Sequence, residues 1–499
     1  MNVVYGVAAV VLVMLTTVLI GAFGIRLSRT TSDFYVASRT VSPLWNASAI
    51  GGEYLSAASF LGIAGLILLY GADMLWLPVG WTGGYLVLLV LVSAPLRRSG
   101  AYTLPDFAEA RLESMAVRRM AGVLVVLIGW LYLMPQFQSA GLVLRAVTGA
   151  PDWAGGLVVA CVVGVNVLSG GMRSITFVQA FQYWLKLTAL AVPLVFLVLA
   201  WRADGAPGLS ARDVATWALP LSGGREYGLY STYSLILATF LGTMGLPHVL
   251  VRFYTNPDGR AARRTTLAVL SLLGLFYLMP ALYGALGRVY LPGLRGSDMV
   301  VLTLPGRLVG GVAGDLLTAL VTAGAFAAFL STSSGLTVSV AGVIGQDILR
   351  GGVRSFRVAA VVAVAVPLVL ASSARSLPVA DVVGLAFAVS ASSFCPLLVL
   401  GIWWRRLTPP GAMAGLVVGG GLACGAVLLT IGEGPHTGLA GALLAQPAAW
   451  SVPVAFTVMV VVSLLTRSRI PPGVARTMVR LHTPETLDLD RGDWRPRST

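Results

Sequence analysis

Ile50-Gly51-Gly52-Glu53-Tyr54 stands in the middle of one apolar run, and Leu241-Gly242-Thr243-Met244-Gly245-Leu246-Pro247 stands in another. Glycine weakens a helix interior, while proline removes a backbone donor and clashes with the preceding turn. In lipid every backbone polar group must find a partner within the protein. A helix broken at membrane depth is therefore tolerated only where protein or a wet cavity takes up the freed groups. Two such breaks mark an internal site or, on the plainer reading, close helix packing through small residues.

The rest of the chain supports reading these runs as membrane helices. Its 499 residues are 57% hydrophobic and 11% charged, with a mean hydropathy of +0.85. Soluble domains carry about 25% charged residues, so an ordinary soluble enzyme is excluded. We read thirteen spans, near 3–25, 43–70, 74–95, 118–147, 154–172, 175–200, 229–251, 266–287, 312–345, 357–373, 380–402, 411–432 and 447–466. Each is near or above the ~20 residues that cross a bilayer. The expected fold class is an all-α polytopic membrane protein. Residues 1–466 form its transmembrane domain, and 467–499 form a short, flexible, basic cytoplasmic tail. Leu104–Leu112 reads as a short amphipathic helix at the inner interface. No attached soluble domain is expected.

The net charge of +14 follows the membrane topology. With the N-terminus outside, 25 of the 34 basic residues fall on inside segments, among them Arg26, Arg29, Arg39, Arg173 and Arg252. Eight fall outside, and Lys186, the single lysine, lies within span 6. That asymmetry fits the positive-inside rule, so the lipid bilayer, not nucleic acid, is the expected partner. The first run lacks a basic leader and a clear cleavage site and reads as a retained span. Cys161, Cys395 and Cys424 lie in apolar spans without ligand spacing and read as buried small hydrophobes.

The breaks fall in spans 2 and 7, five spans apart. Each opens a five-helix unit, spans 2–6 and 7–11, within a core of about 43–402. An odd repeat length inverts the second unit against the first. Paired interrupted segments at matching positions of two halves are the sequence mark of a transporter's central site.

At that site the unwound carbonyls of Gly52 and Leu55 face the interior. Across from them, the Ala328 carbonyl and the Ser331 and Thr332 hydroxyls complete an all-oxygen shell suited to a hard cation such as Na⁺. Equally, the two hydroxyls bond back to the preceding turn or join helices. Glu53 is costly in a membrane unless paired or hydrated. It reads as a structural carboxylate held by backbone donors, as negative potential beside the ion, or as a member of a cytoplasm-facing hydrogen-bond network. Tyr54 gates or packs. Lys186 serves as counter-charge to an anionic substrate, pairs with Glu53, or snorkels. His248 is a hydrogen-bonded structural histidine or a proton-coupling group. Candidates for the organic substrate are Ser56, Ser59, Gln136, Gly242 and Thr243. Exposed half-helix N-termini can hold a carboxylate without a dedicated arginine. The three histidines form no metal cluster, and no catalytic residues or organic cofactor are expected.

Three ordered motifs carry a family resemblance. They are Ala49-Ile-Gly-Gly-Glu53-Tyr-Leu-Ser-Ala-Ala-Ser-Phe-Leu-Gly62, Gly242-Thr-Met-Gly-Leu-Pro-His-Val-Leu-Val-Arg252-Phe, and Ala328-Phe-Leu-Ser-Thr followed by Gln346-Asp347-Ile348. The chain resembles the sodium:solute symporter family over nearly its whole length, and within it the cation/acetate (monocarboxylate) permease branch. Position by position, the resemblance places the family's sodium site on the Gly52, Leu55 and Ala328 carbonyls and the Ser331 and Thr332 hydroxyls. It implies a ten-helix inverted-repeat core with one helix before it and two after, and inward co-transport of Na⁺ with a solute by alternating access. Several members carry an acid where this chain has Gln179, so a second cation site of that kind is not expected. Ser59 matches a sugar-contacting glutamine of sugar symporters, and its short side chain fits a smaller solute.

The function expected is import of a short monocarboxylate anion with Na⁺ across the plasma (inner) membrane. The alternatives are another small solute (proline, a sugar or a vitamin) or coupling to H⁺.

Overall fold

In the computed structural model, residues 2–25, 41–220, 226–294, 296–349, 351–373, 379–433 and 437–484 are described. The expected loop and tail charges Arg26, Arg29, Arg39, Arg225, Arg295, Arg350, Arg375, Arg491, Arg495 and Arg497, and the side chain of Arg173, lie outside them. The described residues are helical throughout their long elements and contain no strand. This is the solution that lipid demands, because a helix satisfies its own backbone.

Ten helices are long and apolar enough to cross a membrane, or eleven if the bent pair Gly228–Gly245 and Pro247–Phe253 is one span. The protein is therefore a multi-pass membrane protein. The expected thirteen is not reached by this count for two reasons. Expected spans 2 and 3 share one 41-residue helical run, Ala58–Arg98. Expected spans 5 and 6 fall in one 52-residue helix, Asp152–Ala203, in which Ser174–Ala203 qualifies and Asp152–Leu168 is too short. At 1.5 Å per residue that helix would run about 78 Å, more than twice the ~30 Å hydrocarbon core.

Between Tyr70 and Trp76 the first of these runs tightens to a 3₁₀ turn, entered through Gly71 at φ +71°. The turn is held by an external segment. Ala72 N–H donates to the Trp217 carbonyl (2.9 Å), and Trp217 Nε1 donates to the Ile67 carbonyl (2.8 Å). Because Ala72 N–H is turned to Trp217, the Leu68 carbonyl loses its helical donor, and Trp217 Nε1 reaches it as well at 3.1 Å.

Gly311–Val343, the hydroxyl helix, sits at the centre of the bundle. Every residue from Val321 to Val343 is buried, as expected for a helix apolar on all sides. It packs against Asp152–Ala203, Met115–Thr148 and Pro43–Tyr54. At its far end Asp347 pairs with Arg118 (2.7 Å), which also bonds Asp106 (2.8 Å) and Glu109. The Gln346-Asp347 motif therefore ties the central helix to the short helix Leu104–Leu112. That helix forms as expected, with a reciprocal capping box between Thr103 and Asp106.

Two expectations need correction. Residues 474–482 of the tail form a helix whose Met478 and Leu481 are buried, and Arg480 Nε donates to the Arg98 carbonyl at 3.1 Å. Of the cysteines, Cys395 is buried, Cys424 half-buried and Cys161 exposed. A small apolar side chain on a membrane helix can face lipid without cost, so apolar context alone did not place Cys161 inside.

Candidate functional site

The site follows from where the backbone groups released at the first break find their partners. Pro43–Tyr54 ends at Leu55, whose ψ of 84° leaves the helical region, and a π turn over Ala58–Gly62 restarts the helix. Ser56 N–H folds back to the Tyr54 carbonyl (2.9 Å), which leaves the Gly52 carbonyl without its helical donor. Ala57 N–H donates to Gln136 Oε1 (3.0 Å), which leaves the Glu53 carbonyl without its own. Both carbonyls must then be satisfied from other helices. Thr332 Oγ1 donates to the Glu53 carbonyl (2.6 Å). Lys186 Nζ donates to the Gly52 carbonyl, to the Leu55 carbonyl (2.7 Å) and to Ser331 Oγ (2.9 Å).

All five expected shell residues therefore meet at one junction, but they are not equivalent. The Gly52, Leu55 and Ser331 oxygens converge on the Lys186 amine. The Ala328 carbonyl instead accepts from Ser331 Oγ (3.1 Å), and Thr332 is spent on the Glu53 backbone. An ammonium has three protons to donate, and three oxygens receive them here. The residue read as counter-charge, Glu53 partner or snorkel is a ligand-like cation on the expected ion shell, with its side chain fully buried. Close approach depends on Gly52, since a methyl there would fall on the Gln179 carbonyl.

Glu53 is held differently from the expectation of backbone donors. Its Oε2 accepts from Arg252 Nε at 2.8 Å, with the two side chains 2% and 1% exposed. Arg252 also donates to Thr176 Oγ1 (2.7 Å) and to Gln179 Oε1, while Gln179 Nε2 donates to the Ser331 carbonyl (2.8 Å). Arg252, counted among the inside loop charges, is instead a core residue just after the second break. The paired carboxylate that betrays it lies 199 residues away. A methyl on Gly335 would fall on the Glu53 carboxylate, so the glycine closing the Ser331–Ser334 hydroxyl run is what admits the pair.

At the second break, Leu246 leaves the helix at ψ 115° and the two segments bend by 43°. The Gly242 carbonyl accepts from Ser390 Oγ (2.9 Å), and Thr243 Oγ1 lies 2.7 Å from the Tyr54 hydroxyl. Tyr54 therefore joins the two breaks directly. Around it stand aromatic rings that the sequence did not single out. Tyr85 is edge-on to Tyr54 (4.9 Å), Phe387 touches Tyr54, Trp81 and Tyr132, and Tyr277 lies 6.0 Å from Trp81. Ser59 Oγ bonds the Tyr277 hydroxyl (3.1 Å). The buried Trp81 Nε1 and Tyr85 hydroxyl have no protein partner. Of the substrate candidates, Ser56 lies against the Tyr132 hydroxyl. Gln136 caps the break, and Ser59, Gly242 and Thr243 are engaged within the cluster. His248 packs edge-on to Tyr132 (5.3 Å) and neither of its ring nitrogens has a partner, so the expected hydrogen-bonded histidine is not found. No group of three or more metal-ligating side chains occurs among the described residues.

Likeness to known proteins identifies the family and the fold. Residues 34–419 match the sodium:solute symporter family. The chain is 33% identical over 467 residues to the uncharacterized symporter YwcA of Bacillus subtilis, covering 88% of this chain and 90% of that protein. It is also 33% identical over 451 residues to the monocarboxylic acid transporter of Corynebacterium glutamicum, covering 82% and 80% respectively. Among solved structures it resembles a Na⁺-coupled sialic acid symporter (TM-score 0.71, 14% identity, 92% of this chain and 98% of that one). It also resembles the nucleobase-cation-symport-1 transporter MHP1 (TM-score 0.61, 13% identity, 91% and 99%). These two likenesses establish the fold. With its motifs, its two broken helices and this match, the chain belongs to the sodium:solute symporter family, a family of membrane transporters and not of enzymes.

Proposed function

We propose that the protein is a secondary active transporter that imports a small monocarboxylate, of the acetate, propionate, pyruvate or lactate type, together with Na⁺. The carrying observation is the convergence of the freed Gly52 and Leu55 carbonyls and the Ser331 hydroxyl on one cation-binding point between the first broken helix and the hydroxyl helix. Family membership supports Na⁺ as the coupling ion. A relative named a monocarboxylic acid transporter supports the solute class, as do the short Ser56 and Ser59 in an aromatic surround. The free Trp81 and Tyr85 donors suit a carboxylate.

The two broken helices would open inverted five-helix units in the inner membrane, with the arginine-rich ends cytoplasmic. Alternating access then moves cation and anion together, and each ligand favours binding of the other by the same coupling free energy. A second reading, coupling to H⁺, is favoured by one observation: the cation seated on these oxygens is the chain's own Lys186.

Competition against uptake of labelled acetate in proteoliposomes tests the solute. Propionate, pyruvate and lactate should compete, whereas proline and glucose should not. Acetate uptake at the level of empty vesicles, with proline transported, would refute the proposal.

A further inference from the structure

We infer that Lys186 and Na⁺ are mutually exclusive occupants of one site, so that Lys186 acts as a tethered cation that sets how strongly this chain binds Na⁺. The inference rests on the reading above that the Gly52–Leu55–Ser331 oxygens form the coupling-cation shell.

Three observations carry it. First, the Lys186 ammonium uses all three of its protons on the oxygens that Na⁺ would need. Those oxygens cannot hold both cations, because Na⁺ on the same ligands would fall on Nζ. Second, the charges around the site leave no anion for a second cation. Glu53, the carboxylate of this junction, is bonded to Arg252 at 2.8 Å. The other side chains of the network, Thr176, Gln179, Ser331 and Thr332, are neutral. With Lys186 as the ammonium that its three acceptors call for, Glu53, Arg252 and Lys186 sum to one positive charge in a buried place, and Na⁺ would make it two at short range with little screening. Third, the amine reaches the shell from Asp152–Ala203, while its acceptors belong to the first broken helix and the hydroxyl helix. The ammonium therefore joins the same two elements that Na⁺ would join, and its departure would leave freed carbonyls for the ion.

A merely structural lysine would make a different prediction, so Na⁺ binding decides the matter. Equilibrium binding of ²²Na⁺ to the purified full-length protein in detergent would be compared with binding to Lys186→Met and Lys186→Gln, with choline balancing the salt. Both variants should half-saturate at Na⁺ concentrations about tenfold or more below wild type. Adding Ser331→Ala and Thr332→Ala to Lys186→Met should abolish the gain. Equal Na⁺ affinity in wild type and variants would overturn the competition while leaving the shell reading intact. No Na⁺ binding in any form would overturn the shell reading itself.

A second measurement needs no variant. Because the chain holds one lysine, protein labelled with ¹⁵N in the lysine side chain gives one Nζ resonance. Na⁺, but not choline, should shift that resonance as the ammonium leaves its carbonyls. A resonance unmoved at Na⁺ concentrations that saturate ²²Na⁺ binding would overturn the proposal even if both variants failed to fold.

Discussion

Removing the Glu53 carboxylate should cost the protein more than removing the guanidinium it faces. At 2.8 Å between Arg252 Nε and Glu53 Oε2, the gross attraction of unit charges is about 6 kcal/mol at an effective dielectric of about 20. Desolvation consumes part of this, and deleting one partner of a buried pair typically costs about 3–5 kcal/mol, because the other is left uncompensated. The two deletions are unequal here. Glu53→Gln leaves Arg252 and Lys186 as two like charges in one buried cluster, whereas Arg252→Gln leaves Glu53 with Lys186 as its remaining counter-charge. Glu53→Gln should therefore fall at or above the upper end of that range and Arg252→Gln near the lower end. The double variant should cost about 2–3 kcal/mol less than the sum of the two single losses, which is the coupling energy of the pair. Denaturant titration of the detergent-solubilised protein, followed by tryptophan fluorescence across the four corners of the cycle, measures this. Single losses below about 1 kcal/mol that add within about 0.5 kcal/mol would refute the idea that the pair clamps the two broken helices together.

Further outcomes follow from the same junction. Gln136→Leu removes the acceptor for Ala57 N–H and should cost about 1–3 kcal/mol, while Gln136→Glu keeps an acceptor and should cost less in the same titration. Gly335→Ala places a methyl on the Glu53 carboxylate. It should abolish uptake or folded yield, as size-exclusion profiles of the tagged protein would read, whereas Gly342→Ala, with open space around it, should behave as wild type. Ser331→Ala with Thr332→Ala removes one ligand of Lys186 and the donor to the Glu53 carbonyl. That double variant should need several-fold more Na⁺ for half-maximal uptake, and an unchanged Na⁺ dependence would return both hydroxyls to a packing role.

Much of this site was legible in the sequence because its causes are local. Gly51-Gly52 marks the last turn before the first break, which the chain makes at Leu55, Gly245-Leu246-Pro247 stands at the second break itself, and Ser331-Thr332 announces hydroxyls in an apolar run. The short helix 104–112 was equally legible from its mix of polar and apolar residues, whereas its Thr103–Asp106 capping box was not read from the sequence. What stayed hidden depends on contacts between distant residues. That Gln136 caps the break 79 residues before it in the chain, and that Arg252 belongs to Glu53, are facts of helix rotation and packing, which periodicity does not encode. Lys186 stood out as a charge in a span. Its place on the ion shell required knowing which face of a 52-residue helix meets the first break. The aromatic surround of Trp81, Tyr85, Tyr132, Tyr277 and Phe387 gave no signal either, since rings on span faces ordinarily just pack. The span count differed because expected spans 2 and 3 are joined by the 3₁₀ turn Gly71–Leu75 within one helical run, and expected spans 5 and 6 fall in one helix.

The central claim is that a cation gradient drives a small carboxylate through this bundle by way of the first break. Its most direct test is uptake of labelled acetate into proteoliposomes under an inward Na⁺ gradient, an inward H⁺ gradient, or neither. The account predicts transient accumulation above the external concentration when a cation gradient is imposed, lost when Gly52→Ala blocks the close approach to Gln179. Equilibration without accumulation under every condition would contradict it and make the protein a passive conduit.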